Sequence, residues 1–203
     1  MKPKCLLISF PIVAVALMLA ANATALPIEF VANLSGAKEV PPNASPGTGS
    51  VTATFDLTAH TLELHVTFSG LTSPTTAAHI HAPTPNPFSG VAGVATQVPF
   101  FIGFPIGVTS GTYDNTFNTL DSSFYNPAFL TANGGTPAGA EAVFAQALDQ
   151  GKAYFNIHTV NFGGGEIRGF LHVPDASSAM LCLGMGLIGL EMFRRKFGAQ
   201  LNA

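Results

Sequence analysis

Apolar and polar residues alternate with period two over much of the middle of the chain. Val51, Ala53, Phe55 and Leu57 interleave with Thr52, Thr54 and Asp56. After Thr58–Thr61, Leu62, Leu64, Val66 and Phe68 interleave with Glu63, His65 and Thr67. This pattern predicts a β-hairpin with one buried face. Two later runs, 153–159 and 166–172, alternate in the same way. Val160-Asn-Phe-Gly-Gly-Gly165 joins them and suits a hairpin loop that needs positive φ angles. The period changes in one place. Val143, Phe144, Ala147 and Leu148 fall on one face of a short helix over 140–150, with Gly151 as its stop. Ser73-Pro74, Pro83-Thr-Pro-Asn-Pro87 and Asn133-Gly-Gly-Thr-Pro137 read as turns, and the chain has 15 prolines and 21 glycines. Short strands with such punctuation predict an all-β fold, an antiparallel β-sandwich with Greek-key-like connections and one short helix. Phe100, Phe101 and Phe104 are read as core in preference to an exposed aromatic loop.

The two ends follow different patterns. Met1-Lys-Pro-Lys4 is basic, 6–20 is apolar, and Ala21-Asn-Ala23 and Ala23-Thr-Ala25 are small-residue sites. That order predicts a signal peptide over 1–25, cleaved after Ala25, in preference to a retained membrane helix. The folded domain then spans 26–172. A tail over 173–203 opens with Val173-Pro174-Asp175, continues through an apolar run and closes with Arg194, Arg195 and Lys196. The run predicts a membrane helix over about 176–193, just short of the ~20 residues of a comfortable span, with the basic cluster as a cytoplasmic stop. Gly184, Gly186 and Gly189 argue against a soluble amphipathic helix here.

Composition narrows the function classes. Charged residues make up 9% of the 203, and mean hydropathy is +0.38, raised by the apolar ends. Between Leu26 and Val173 nine acidic residues face three bases, Lys38, Lys152 and Arg168. Such a domain lacks the basic footprint of a nucleic-acid binder. The two cysteines, Cys5 and Cys182, lie in the end segments, so the domain is held by its core without disulfides. Gly-x-Ser-x-Gly is absent, and Gly163-Gly-Gly165 is not a phosphate-binding fingerprint, so no catalytic residue is assigned.

The sharpest chemical feature is His79-Ile80-His81. Residues i and i+2 of a strand share a face, so both imidazoles project together. Tyr154, Asn156 and His158 share a face in the same way, opposite Phe155 and Ile157. If Ile80, Phe155, Ile157, Ile167 and Leu171 take the buried side, His79, His81, His158, Glu166 and Arg168 take the other. Two readings follow. His79, His81 and His158, with Glu166 as fourth ligand or orienting group, suit zinc or copper. Alternatively, the same residues, with Arg168 and Asn156, form a hydrogen-bonded and ionic ladder. His60, His65 and His172 read as solvent-facing, and Asp114 and Asp121 as turn residues.

A resemblance runs through the domain. Phe30-Val-Ala-Asn-Leu-Ser-Gly-Ala-Lys-Glu-Val-Pro-Pro42, Gly47-Thr-Gly49, Val66-Thr-Phe-Ser-Gly-Leu71, Ala77-Ala-His-Ile-His81, Ser110-Gly-Thr112, Asn156-Ile-His-Thr159 and Gly164-Gly-Glu-Ile-Arg-Gly169 follow one another as in CHRD (chordin-type) domains. The resemblance covers roughly 28–172, with an unusual Pro-rich loop after Ala82. It implies a non-catalytic binding module that presents loops to a protein or a polysaccharide. The His-x-His strand also bears a fold-level likeness to copper–zinc superoxide dismutase, which would imply a redox-active metal. The tail resembles the tripartite PEP-CTERM sorting signals of bacteria, with Val173-Pro174-Asp175 in place of the usual Pro-Glu-Pro. That likeness implies an exosortase-type protease as partner, membrane contact through the tail, and a place at the outer surface or matrix of a Gram-negative-type bacterium.

Overall fold

The computed structural model describes residues 26–174. Ala23 and Ala25, Asp175, the expected 176–193 helix and Arg194, Arg195 and Lys196 lie outside the described residues; Val173 and Pro174 are within them and exposed. Seven strands form one antiparallel sheet: β1 (Ile28–Ser35), β2 (Thr48–Asp56), β3 (Thr61–Ser69), β4 (Thr75–His81), β5 (Gly111–Asn118), β6 (Tyr154–Thr159) and β7 (Ile167–Phe170). Their order is β4-β6-β7-β1-β2-β3-β5.

The expected β2–β3 hairpin is present, with Asp56 opposite Thr61 and Thr48 opposite Ser69. Val51, Ala53, Phe55, Leu62, Leu64, Val66 and Phe68 are all buried. Leu57 is not: it lies in the turn beyond the strand and is 44% exposed, because alternation ends where the backbone leaves the extended region. The β6–β7 hairpin also forms, with Ile157 opposite Ile167 and Asn156 opposite Arg168. At Gly169, β7 passes so close to β1 that an added Cβ would stand 2.4 Å from the Asn33 carbonyl oxygen.

The strands are joined into one sheet where two were expected; the sheet curls around its core in a sandwich-like way. Aromatic contacts show the curl. Phe101 lies 6.0 Å from Phe155 of β6 and 5.2 Å from Phe117 of β5, between ring centroids. Phe104 similarly bridges Phe155 and Phe68 of β3. β6 and β5 stand near opposite ends of the strand order, so only a curled sheet brings both to one ring. Phe101 and Phe104 are therefore core, as expected, while Phe100 is half-buried.

Two α-helices cap one end, where a single one was expected. The longer, α2 (Pro137–Asp149), buries Ala140, Phe144, Ala147 and Leu148. The Thr136 hydroxyl accepts from Gly139 N, and Pro137 occupies the first turn, where its missing N–H has no cost. The other, α1 (Pro127–Ala132), is capped by Asn126, whose side chain accepts from Ala128 N. Six residues are too few to display a helical period, which is why the pattern did not reveal it. Glu141 of α2 accepts from Thr119 Oγ1 and pairs with His60 Nδ1 at 2.9 Å, so His60 anchors the β2–β3 turn rather than facing water freely. His65 is exposed but paired across strands with Asp114, which lies within β5 and not in a turn. Asp121 caps a short 3-10 turn by accepting from Ser123 N.

Candidate metal centre

β4 and β6 are neighbours, with His79 opposite Asn156, Ala77 opposite His158 and His81 opposite Tyr154. Ile80, Phe155, Ile157, Ile167 and Leu171 are fully buried on the core side, so parity turns His79, His81 and His158 to the other side together. That side is also covered: all six residues of β6 are buried. The cover comes from the 92–101 segment, which runs along the free edge of β4. Ala95 N donates to Ile80 O, and Phe101 N donates to Ala78 O.

The covering backbone fixes the imidazoles. His79 Nδ1 lies 3.0 Å from Pro99 O, His81 Nδ1 2.8 Å from Ala92 O, and His158 Nδ1 3.0 Å from Gly163 O. A carbonyl oxygen only accepts, so each Nδ1 carries the proton and each neutral ring presents its Nε2 as a bare lone pair. Those lone pairs converge. His79 Nε2 and His158 Nε2 are 3.0 Å apart, and His81 Nε2 is buried without a partner. The three ligand atoms lie within 4.8 Å of one another. Two nitrogens bound at ~2.0–2.1 Å to one tetrahedral ion stand about 3.3–3.4 Å apart, close to the His79–His158 spacing.

Protonation does not relieve the facing lone pairs. Burial, then the neighbouring His81 and His158 rings, push the His79 pKa down to about 3. Burial pushes His81 down to about 4, and it lowers His158 as well. These shifts tie stability to pH. An unfolded histidine takes up its proton near 6.5, whereas His79 and His81 stay neutral in the fold down to about 3 and 4, so acid favours the unfolded chain. Each such histidine costs about 1.4 kcal/mol per pH unit below that value. Glu39 acts oppositely. Burial raises its pKa to about 7 despite the Arg168 charge, so its contribution is full below 4.5 and fades as pH rises through 7. His79 and His81, with His158 shifted the same way, outweigh one carboxyl. The metal-free protein is expected to lose melting temperature steadily from pH 6.5 to 4.5, and a flat profile in differential scanning calorimetry would contradict it.

Glu166 stands apart, and its expected place beside the histidines is corrected. Its Oε1 accepts from Ser45 Oγ at 2.6 Å and Thr72 N at 2.7 Å, and its Oε2 accepts from Thr159 Oγ1. Burial pushes this carboxyl up, but the donors of Ser45, Thr159 and Thr72 outweigh it and hold the pKa below the usual range. It precedes β7, in a bend where alternation does not apply, and it ties two loops to the β6 end. Arg168 does share the histidine side, but its carboxylate neighbour is Glu39, at 3.8 Å, not Glu166. Its guanidinium lies 4.6 Å from the Tyr154 ring centre. Tyr154 in turn stacks on His81 with centroids 4.6 Å apart and planes at 8°. Asn156 is buried beside them, its Oδ1 unpartnered. His172 is half-buried and bridges Val31 of β1.

Sequence reasoning missed Glu39 and the three carbonyls of Ala92, Pro99 and Gly163. In the sequence Glu39 stands between Lys38 and Val40-Pro-Pro42, with nothing to mark it as buried. Backbone carbonyls carry no sequence signal. The arrangement offers three neutral imidazoles with oriented rings and no fourth protein ligand among the described residues, an open set suited to a borderline divalent ion.

Neither the curated proteins nor the solved structures compared with the chain include a match. The CHRD domain family matches residues 30–171, more than half of the chain, and covers β2 to β7, all but the first two residues of β1, and all three histidines. The chain belongs to the CHRD domain family.

Proposed function

We propose that the protein is an exported extracellular binding module that holds one zinc or copper ion on His79, His81 and His158. CHRD membership supports the extracellular setting. The observation that carries the metal reading is the tautomer lock: three Nδ1–H groups committed to backbone carbonyls leave three Nε2 lone pairs facing one another. A plain hydrogen-bonded ladder accounts for it poorly, because neutral acceptors turned on one another repel and His81 Nε2 has no donor. A bound ion stabilises the folded state by mass action, by about 2.7 kcal/mol at a hundredfold excess over Kd. Metal-free exported protein titrated with zinc or copper is expected to melt several degrees higher; an unchanged melting temperature with either ion would contradict the reading. A redox role belongs to the copper form alone.

The ends supply the address. A signal peptide cleaved after Ala25 and a tail read at Val173-Pro174-Asp175 by an exosortase-type protease would place the module at the bacterial cell surface or in its matrix. The exposure of Val173 and Pro174 supports access to that motif. There it would meet an extracellular polysaccharide or a surface protein. Changing Arg194, Arg195 and Lys196 to Gln is expected to misplace the protein on cell fractionation, whereas unchanged fractions would refute a sorting role.

A further inference from the structure

Beside the Arg168–Tyr154 stack lies a groove of about 710 Å³. Lys38 and Arg168, two of the three bases of the acidic domain, line it. Arg168 is only 3% exposed, held between the rings of Tyr154 and Phe170. Its Nε donates to Lys38 O, a terminal N–H lies within reach of the Tyr154 hydroxyl, and the Glu39 carboxylate at 3.8 Å is out of hydrogen-bond range. The terminal N–H groups that remain are left to the groove that Arg168 lines, and a pair of them matches a carboxylate in bidentate fashion.

The opposite wall is aromatic and costly to build. Phe88 is 59% exposed, yet its backbone sits at φ 54°, a left-handed conformation that bulky residues avoid. Its N–H donates to Gly151 O, and its ring lies so close over Gly151 that a Cβ there would meet it at 2.3 Å. Phe170 stands edge-on to it, at 6.2 Å and 74°. A strained backbone that holds an aromatic ring in water gains nothing from core burial, so its use lies at the surface it presents.

We propose that this groove binds a carboxylate-bearing sugar, its carboxylate on the Arg168 fork and the apolar face of its ring against Phe88 and Phe170. Local charge favours a monoanion. Lys38 and Arg168 are opposed by Asp149 in the lining and in part by the half-ionised Glu39 beside Arg168, a balance that disfavours a phosphate dianion. Asp149 and Ser89 also stand in the lining to take sugar hydroxyls. This assignment gives a ligand class to the extracellular reading, on which it rests, and is independent of the metal.

The test is calorimetric titration of metal-free exported protein with trigalacturonate, galactotriose and benzoate, so that no metal can take the carboxylate. Trigalacturonate is expected to bind one to one and galactotriose not to bind. Phe88→Asn tolerates the left-handed backbone and is expected to weaken binding about tenfold or more, while still melting as a folded protein and taking up metal. Arg168→Lys keeps the charge and loses the fork, and a loss of binding is expected there too. No binding of trigalacturonate, equal binding of galactotriose, or full affinity in Phe88→Asn would each overturn the proposal. Benzoate binding without trigalacturonate would overturn the sugar assignment.

Discussion

His158→Ala is expected to lower zinc or copper affinity by more than about 100-fold and to bring metal content in the purified protein to near zero. The basis is geometric. His79 and His81 come from one strand, and His158 is the one ligand from β6, so its loss leaves two donors on one side of the ion. Altering groups that merely orient a ligand already costs 10–100-fold, so removing a ligand costs more. The fold is expected to survive. His158 lies on the side away from Phe155 and Ile157, and its loss frees His79 Nε2 from a repulsive neighbour at 3.0 Å. Metal content by plasma mass spectrometry, beside a melting curve, separates lost binding from lost folding. Wild-type metal content in the variant would contradict the site.

Phe101→Ala is expected to have the largest effect on stability, about 3–5 kcal/mol. Its ring is fully buried and touches Tyr113, Phe117, Phe124 and Phe155, so it links both ends of the curled sheet. Collapse around the missing ring would require several strands to move together, so most of the cavity should persist. Domains of this size have about 5–15 kcal/mol in all, and the melting temperature is expected to fall by roughly 10 °C or more. Because Phe101 N donates to Ala78 O beside His79, the loss should also loosen the metal centre. A variant within about 1 kcal/mol of wild type in urea unfolding would contradict this account of the core.

What the sequence disclosed and what it hid divide along locality. Period-two alternation is a property of neighbouring residues, and it placed His79, His81 and His158 on the side opposite Ile80, Phe155 and Ile157. It said nothing about which strand lies beside which. The β4–β6 pairing that completes the trio joins residues 79 apart in the chain. Alternation also fails where strands end. Leu57 fell into water and Glu166 swung toward Ser45, Thr72 and Thr159, because both stand just outside their strands. The single curled sheet was hidden for the same reason as the trio. It depends on β7 meeting β1, with Ser35 opposite Arg168, a pairing between the two ends of the domain. The cover on the histidines was least legible of all, because its contribution is carbonyl groups that any residue at 92 or 99 would supply.

The most direct measurement is X-ray absorption at the zinc or copper edge on the protein loaded with one equivalent of metal. Three histidine nitrogens at about 2.0–2.1 Å, with imidazole outer-shell scattering and a light-atom fourth ligand, are expected. A first shell with fewer than two imidazoles, or a spectrum unchanged in His158→Ala, would contradict the centre built from His79, His81 and His158.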